Sequence, residues 1–330
     1  MGLPAQPLVS IIIPVYNGEK YLGAAIESAL AQEWERKEII VINDGSTDDS
    51  QRIMESYRPR VRVIDQPNGG ACNARNAGLR SAAGDYIQYL DQDDLLHPEK
   101  ISIQIRDLHG EPDETLACGR LFTFKDDVKD CHAFDFFAPL DTYISPVDWL
   151  VWSFEGRAMQ SSVWLVPRRL HERAGYWNEE LRSNPNDDGE LFCRIVLAAA
   201  RVKFNKEART YFREHEGARG SRANNLTKIT SLYRSLELSA SYLLAAEDSR
   251  RTRHAAACTF KHFAYAHCLN APDLARQALE QIRRLGFTRV DYAIVGGRTF
   301  RLIDRTLGTS AAIRFKALLN SLQGRARKSL

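Results

Sequence analysis

The chain has 330 residues, of which 44% are hydrophobic and 26% charged, and its formal net charge is +3. The composition is ordinary for a globular protein, and the length accommodates a large domain with a smaller one or two domains of similar size. No apolar run approaches the roughly eighteen residues of a membrane span, and the N-terminus MGLPAQPLVS lacks a signal-peptide layout. We therefore expect a cytoplasmic protein, with its six scattered cysteines as reduced core thiols.

The first predicted element is a strand over Leu8–Val15, an almost unbroken apolar and β-branched run that is typical of a buried parallel strand. It ends at Pro14 and the turn-prone Tyr16-Asn17-Gly18. Apolar residues at positions 22, 25, 26, 29 and 30 then recur at helical spacing. They predict a helix from Tyr21 to about Gln32.

A second strand is predicted over Glu38–Asn43, and it leads into the polar loop that begins at Asp44. In this loop Ser46 and Asp49 match an S-x-x-D capping box, which predicts that a helix opens there and runs through Tyr57.

The strand, loop and helix pattern repeats once more. We predict a third strand over 61–65, a Gly-rich loop over 66–70, a helix over 71–82 and a fourth strand over 85–90. Four strands alternating with three helices indicate a doubly wound, parallel α/β sheet with right-handed crossovers. The loops that follow the strands should therefore gather at one edge of the sheet, where open α/β sheets bind ligands.

The fourth strand stops abruptly at three carboxylates, Asp91, Asp93 and Asp94. Three acids within four residues repel one another unless a positive charge lies between them, and a divalent cation is the simplest such charge. Their place at the carboxyl end of a strand predicts a metal-assisted phosphate or pyrophosphate site.

Beyond residue 98 the pattern is weaker. It predicts strands over 116–124, 162–167 and 209–215 and helices over 148–154 and 189–200. After about residue 225 the apolar residues follow a helical period throughout. We therefore place a domain boundary near residue 222, with residues 1–222 as the catalytic domain and residues 223–330 as an all-helical C-terminal region.

Four stretches of the chain resemble family 2 glycosyltransferases, which are inverting, metal-dependent enzymes of the GT-A fold that use nucleotide-sugars. In chain order these stretches are VSIIIPVYNGEKYL, EIIVINDGSTDDS, NGGACNARNAG and YLDQDD. The resemblance is dense over residues 8–94 and extends more thinly to His215. It implies a GT-A-type, mostly parallel sheet flanked by helices, followed by the helical region.

The resemblance also implies which residues hold the nucleotide-sugar. Those at the first two strand ends are Pro14, Tyr16, Asn17, Glu19 and Asp44. The Asp44 carboxylate suits a uracil N–H and the Tyr16 ring suits the face of the base, but a helix-capping Asp44 and a packed Tyr16 are the alternatives.

Further along the chain the resemblance places Arg75 near the nucleotide, where its fork would reach a phosphate or pair with the acids. An exposed helix arginine is the alternative. The Asp91-Gln92-Asp93 element matches the D-x-D motif of the family, in which one acid contacts the ribose and the other the cation. The resemblance implies these roles for Asp91 and Asp93 respectively.

The catalytic base and the last metal ligand are expected after residue 180. Asp187-Asp188 stands where the family usually has Glu-Asp at a helix start, which makes Asp188 the candidate base, with simple helix capping as the alternative. His215 stands where the family often has a metal-binding histidine, and with Asp93 it would hold Mn²⁺ or Mg²⁺. A loop histidine without a metal is the alternative.

The expected activity is transfer of one sugar per encounter from a nucleotide-sugar, with uridine as the expected base, to a glycan, lipid-linked or other hydroxyl acceptor. The chain lacks the membrane spans and the QxxRW motif that are typical of processive family members. A nucleotidyltransferase and a non-catalytic sugar-nucleotide or glycan-binding protein are the rivals. The first usually has an early Gly-rich basic loop, which is missing here.

The C-terminal fifty residues carry eleven Lys or Arg against two Asp or Glu, and apolar residues recur at 315, 318, 319 and 322. This pattern is typical of an amphipathic helix that lies on a surface. Peripheral contact with the inner face of the cell membrane and a packing or homo-oligomer contact are the two interpretations. A nucleic-acid partner is not expected, because few aromatic residues interleave with the charges and no known binding module precedes them.

Overall fold

A computed structural model describes residues 6–134, 143–156, 160–181, 186–215, 225–292 and 295–326, with side chains up to residue 319. Ten strands of this part of the chain form one sheet. They are β1 Val9–Val15, β2 Lys37–Asp44, β3 Arg62–Gln66, β4 Tyr86–Tyr89, β5 Leu95–Leu96, β6 Thr115–Phe124, β7 His132–Ala133, β8 Tyr143–Ile144, β9 Trp164–Pro167 and β10 Arg201–Arg213.

The strand order along the sheet is β3-β2-β1-β4-β9-β6-β10-β5, with β7 paired to β6 and β8 paired to β10. The first four strands run parallel, β9 runs antiparallel to both of its neighbours, and β10 returns parallel to β6. The predicted mostly parallel sheet is therefore confirmed. The additional short strands β5, β7 and β8 are too brief to leave a sequence period.

Up to β4, the helices of the described residues agree with the sequence prediction in number and order. After β4 the structure contains helices in addition to the predicted ones. They are α1 Leu22–Leu30, α2 Ser50–Ser56, α3 Ala71–Ser81, α4 Lys100–Leu108, α5 Pro146–Phe154, α6 Arg168–Ala174, α7 Asp187–Ala198, α8 Leu226–Ala246, α9 Arg250–His267, α10 Pro272–Arg284, α11 Arg298–Leu307 and α12 Thr309–Ala326.

The helices cover both faces of the sheet because its central strands are apolar on both sides. In β1 Ile12 belongs to the core cluster that includes residues of α3, α5, α6 and α7, whereas Ile11 and Ile13 belong to the cluster that includes residues of α1, α2 and α4. Successive residues of a strand point to opposite faces, so the unbroken apolar run supplies two cores at once.

The predicted capping box at Ser46 is wrong. The helix α2 begins only at Ser50, whose N–H donates to Asp48 Oδ1 at 3.0 Å. The Ser46 hydroxyl instead accepts the backbone N–H of Asn17 at 3.1 Å, while the Ser46 N–H donates to Asn43 Oδ1 at 3.0 Å. The serine is thus used to join the first two loops, a long-range contact that no local spacing can indicate.

The strand predicted over 209–215 is also longer than expected, because β10 begins at Arg201. Its pairing with β6 is interrupted between Asn205 and Arg209. Residues 201–205 alternate between polar and apolar, with Val202 and Phe204 buried. This alternation is short and lies among charged residues, so it did not predict a strand.

Each described element from Leu226 onward is a helix, as predicted for the C-terminal region. These helices share a core of their own. Within it, the buried ammonium of Lys261 on α9 lies 2.6 Å from Asp304 Oδ2 on α11 and donates to the Val290 carbonyl at 2.6 Å. The division into domains at residue 222 remains a prediction, since residues 216–224 lie outside the described part.

The basic tail forms α11 and α12. Ala312 and Ile313 are buried, whereas Leu318 and Leu319 are 59% and 41% exposed. Leu322 and the basic residues beyond it lie outside the side chains described. Over the described residues, no helix combines the length and the hydropathy that crossing a bilayer requires.

Candidate active site

The loops after β1, β2 and β4 meet at one edge of the sheet, as their order predicts. The Gln92 side chain clasps the backbone of Tyr16, accepting its N–H at 2.8 Å and donating to its carbonyl at 3.2 Å. On the other side, Asn17 Oδ1 accepts the Thr47 N–H at 2.8 Å and Glu19 Oε2 accepts the Asp49 N–H at 2.9 Å. The first loop is therefore tied to both of its neighbours.

Asp44 ends β2 with its carboxylate directed at the Gly-rich loop. It is 2% exposed and accepts the N–H groups of Gly69 and Gly70 at 2.8 Å and the Gln66 side-chain amide at 2.7 Å. Gly70 precedes α3, so the structural role of Asp44 is to fix the start of α3 and not that of α2. A carboxylate has about four acceptor positions, and one therefore remains for a base N–H.

The predicted residues at the end of β1 differ in exposure. Pro14 is buried within the sheet, whereas the Tyr16 ring is 50% exposed and so is not held by core packing. Asn17 has a positive φ of 50°, a conformation that asparagine tolerates better than most residues, and this turns the loop toward Thr47.

Arg75 of α3 is buried between two acids. One guanidinium nitrogen lies 2.8 Å from Asp91 Oδ1 and another lies 2.7 Å from Asp187 Oδ2, while the group stacks 4.4 Å from the centre of the Trp177 ring. Burial alone would lower the pKa of Arg75, but the carboxylates of Asp187 and Asp91 outweigh it and raise the pKa. The expected alternative of an exposed helix arginine is therefore wrong, and pairing with the acids is what the structure shows.

Asp93 faces His215 across the site, with Asp93 Oδ2 and His215 Nε2 2.6 Å apart. Burial raises the pKa of Asp93, the nearby charge of Asp91 adds to this, and the hydrogen bond with His215 opposes it. A cation beside Asp93 would relieve the same repulsion.

Asp94 is fully buried and points away from this pair. It accepts the backbone N–H of Arg213 at 2.9 Å and the side-chain amide of Gln160. Burial, with the charges of Asp93 and Asp91, raises the pKa of Asp94 well above its usual value. Asp94 thus anchors the end of β10, which places His215 two residues later beside Asp93.

Asp187 and Asp188 form the first turn of α7. Asp187 accepts the Asp188 N–H at 2.9 Å with one oxygen and holds Arg75 with the other, so it both bonds a first-turn N–H and forms an ion pair. Asp188 is half-buried and accepts the Gly189 N–H at 3.0 Å. Burial, reinforced by the charge of Asp187, raises the pKa of Asp188 to about 7. A carboxylate with such a pKa suits general-base catalysis near neutral pH.

Three residues that organise the site were not predicted. Gln92 lies between the two acids of the D-x-D element, and this position in the sequence could have identified it as a residue of the site. Trp177 supports Arg75, and Glu179 accepts from the side chains of Asn73 and Asn76 at 3.1 and 2.9 Å, which fastens residues 177–179 to α3. This segment has no apolar period, and hence no sequence signal identified it.

The donor set at Asp93 and His215 fits a divalent cation. Within the described residues, no group of three or more Asp, Glu, His or Cys side chains is arranged to hold a metal by itself. Mg²⁺ and similar ions are commonly held by one or two carboxylates, with substrate phosphates and waters completing the shell. The carboxylate and imidazole found 2.6 Å apart match that incomplete protein shell.

The architecture has close counterparts among solved structures. Residues 1–349 of S. aureus TarS, in a complex with UDP-GlcNAc, superpose with a TM-score of 0.68 over 96% of this chain and 92% of that one, at 20% identity. The same fragment in complex with UDP superposes with a TM-score of 0.65. Together with the acid-lined sheet edge, this similarity defines the fold as that of a GT-A glycosyltransferase.

The sequence comparison identifies the family. The family model described as Glycosyl transferase family 2 matches residues 10–173. An uncharacterized glycosyltransferase of Rickettsia typhi is 34% identical over 232 residues, which is 69% of this chain and 71% of that protein. The chain belongs to glycosyltransferase family 2 and is an enzyme. A chondroitin synthase of Pasteurella multocida is 41% identical over 115 residues, but the chain spans only 12% of its length.

Proposed function

We propose that the chain transfers one sugar from a nucleotide-sugar, with UDP as the carrier, to a hydroxyl of a glycan or lipid-linked acceptor in the synthesis of a cell-surface polysaccharide or glycoconjugate. The observation that carries this proposal is the Arg75 bridge, because it joins Asp91 of the donor loop to Asp187 beside Asp188. UDP-GlcNAc in TarS and the chondroitin and hyaluronan synthases among the relatives support the donor class.

The donor would occupy the edge formed by the three loops. The remaining acceptor position of Asp44 suits a base N–H, and the exposed Tyr16 ring suits the base face. Pro14, Asn17 and Glu19 shape this loop, while Asp91, held by Arg75, would accept from a ribose hydroxyl. In this arrangement Arg75 acts on the donor through Asp91.

Asp93 and His215 would hold a divalent cation, Mn²⁺ or Mg²⁺. When bound, the cation would supply positive charge for the leaving diphosphate. Asp94 and the backbone of Arg213 keep the two side chains facing one another.

Asp188 would remove the proton of the acceptor hydroxyl. The bond from the acceptor oxygen to the anomeric carbon forms while the bond from that carbon to the diphosphate oxygen breaks, and the proton passes to the Asp188 carboxylate. Attack from the face opposite the diphosphate inverts the anomeric centre. The raised pKa of Asp188, about 7, allows a useful fraction of unprotonated carboxylate that is still basic enough to take a proton.

The test is a panel of nucleotide-sugars assayed for hydrolysis and transfer with and without Mn²⁺. We expect one UDP-sugar to be consumed in a metal-dependent manner, with free UDP as the product. A panel that leaves each UDP-sugar intact, while a sugar phosphate reacts with a nucleoside triphosphate, would contradict the proposal in favour of a nucleotidyltransferase.

The D-x-D role predicts the behaviour of Asp93→Ala. Removing one of two protein ligands should weaken Mn²⁺-dependent UDP binding by at least about tenfold, as losses even in supporting groups of metal sites do. Calorimetric titration of UDP with and without Mn²⁺ measures this. Asp273→Ala, which changes an exposed acid of α10, is the control. Equal UDP affinity in Asp93→Ala and the unaltered chain would remove Asp93 from the metal site.

The raised pKa of Asp188 predicts the pH profile. The base must be unprotonated to accept the acceptor proton, so kcat/KM should rise as pH increases through about 7 and then level off. A pH–rate series with saturating metal measures this limb. A profile that is flat across neutrality would contradict the assignment of the base.

The cellular location of the enzyme is also a proposal. We propose a cytoplasmic enzyme with peripheral contact at the membrane through the basic tail, because exposed Leu318 and Leu319 lie on a helix that also carries the exposed Arg314. Lys316 of the same helix instead donates to the Tyr265 carbonyl. A homo-oligomer contact through the same leucines is the competing outcome. Flotation with anionic liposomes, compared between the unaltered chain and a variant with both leucines changed to serine, separates them.

A further inference from the structure

A cavity of about 320 Å³ lies between the sheet domain and the C-terminal helices. Its walls come mainly from α5, α7, α8 and α9, with Trp164 of β9, and they include Trp149, Phe192, Leu232, Phe263 and Ala266. Protein interiors contain few voids larger than a water molecule, whereas ligand pockets begin at roughly 300 Å³. The space therefore has the size of a binding site and exceeds an ordinary packing defect.

The cavity wall is aromatic and uncharged. Trp164 and Phe192 stack with ring centres 5.5 Å apart and planes 16° apart, and Trp149 meets the edge of Trp164 at 5.2 Å. Among the described residues that line it there is no Lys, Arg, Asp or Glu. Burial lowers the pKa of both lining histidines, His262 and His267, which favours their neutral forms. An ionised ligand group would find no partner here, whereas a hydrocarbon would gain contact with apolar surface.

Two residues close to the candidate base in the chain line the cavity. Asn186 and Gly189, which flank Asp187 and Asp188 in the chain, both line it. Gly189, Phe192, Cys193 and Val196 line it too, and their spacing places them on one face of α7. The cavity thus runs along α7 from the first turn of that helix, which also carries Asp188. Asp188 itself does not line the cavity, so a molecule with a hydroxyl at Asp188 would enter the cavity past Asn186 and Gly189.

We propose that the acceptor of this enzyme is an amphiphile, with its hydroxyl-bearing head group at Asp188 and a hydrocarbon chain in the cavity. The inference rests on the proposed function, since it takes Asp188 as the group that receives the acceptor proton. The acceptor would therefore consist of an alkyl or prenyl chain joined to a polar head group.

The first experiment measures binding to the unaltered full-length chain with hexyl, octyl and decyl glucoside, each below its micelle concentration. Burying one methylene group contributes about 0.8 kcal/mol, which is about a fourfold change in Kd. We expect octyl glucoside to bind about fifteenfold more tightly than hexyl glucoside. Because Trp149 and Trp164 line the cavity, their fluorescence should change with the same affinities. A Kd that is independent of chain length would overturn the proposal.

The second experiment blocks the cavity. Ala266 lies on α9, is exposed and lines the cavity, so Ala266→Phe should obstruct it without disturbing the core. We expect at least tenfold weaker binding of octyl glucoside. The matched control is Ala245→Phe, an equally exposed alanine of α8 that does not line the cavity, for which we expect unchanged binding. Equal effects of the two substitutions would overturn the proposal.

Two further outcomes have separate meanings. Hydrolysis of a UDP-sugar by the unaltered chain without acceptor tests the proposed function alone. If hydrolysis occurs but the Kd of the glucosides does not depend on chain length, only the proposal of an amphiphilic acceptor is overturned. If glucosides bind but no nucleotide-sugar is consumed, the proposed function fails and with it the acceptor role of the cavity. A changed sedimentation coefficient on Ala266→Phe would assign the cavity to contact with a second copy and overturn the proposal.

Discussion

Replacing Asp188 with asparagine is expected to lower kcat by about 10²–10⁴-fold, the usual contribution of a positioned general base. The amide keeps the size of the side chain and its acceptor oxygen for the Gly189 N–H, so α7 should remain in place. It cannot take up a proton near neutral pH, and the acceptor hydroxyl then has to lose its proton to water. Initial rates of transfer with a UDP-sugar and saturating metal measure the loss.

The binding of UDP distinguishes this role from a structural one. Asp188→Asn should bind UDP with nearly the affinity of the unaltered chain, because the loops after β1, β2 and β4 do not depend on it. The control Asp273→Asn changes an acid in the first turn of α10 that is 79% exposed, and it should retain full turnover. Full turnover in Asp188→Asn would show that another group is the base, and helix capping would then account for Asp188.

The substitution Arg75→Met is expected to lower the free energy of unfolding by about 3–5 kcal/mol, the usual cost of removing one member of a buried ion pair. Arg75 is 6% exposed and neutralises both Asp91 and Asp187. Methionine fills much of the volume over the Trp177 ring but leaves two carboxylates without a cation. Urea denaturation followed by circular dichroism measures the difference.

Arg80→Met is the matched control, since Arg80 lies on the same helix α3 and also pairs with an acid. Its partner Glu179 is 3.2 Å away, but the Arg80 side chain is 53% exposed, and surface pairs contribute at most about 1 kcal/mol. We expect Arg75→Met to weaken UDP binding as well, because Asp91 loses its orientation. If both variants were equally stable, Arg75 would not be the link between the two parts of the site.

The sheet was predictable because its strands carry strong, local signals. Apolar runs of β-branched residues and helical spacing between them located β1 to β4, α1 and α3 within one or two residues, whereas the start of α2 was placed too early. The gathering of Tyr16, Asp44 and Asp91 at one edge followed from the geometry of parallel strands alone. These inferences needed no knowledge of which side chains touch.

The partners of individual side chains were not predictable in the same way. The Arg75 bridge joins residues 112 positions apart in the chain, and the Gln92 clasp on Tyr16 joins residues 76 positions apart. Ser46 fitted a local capping pattern and was used instead for a contact with Asn17. Local spacing reports on helices and strands, whereas these contacts depend on how distant loops are brought together.

The ion pair between Lys261 and Asp304 makes the C-terminal tail a support of the cavity along α7. Deleting residues 298–330 would remove Asp304 and leave the buried ammonium of Lys261 unpaired on α9, the helix that also carries Phe263 and Ala266. Under the two proposals made above, a truncated protein would lose acceptor binding through disturbance of this wall even if the tail touched no membrane. Truncation would therefore test both proposals at once, whereas substitutions on the outer surface of the tail would test the membrane contact alone.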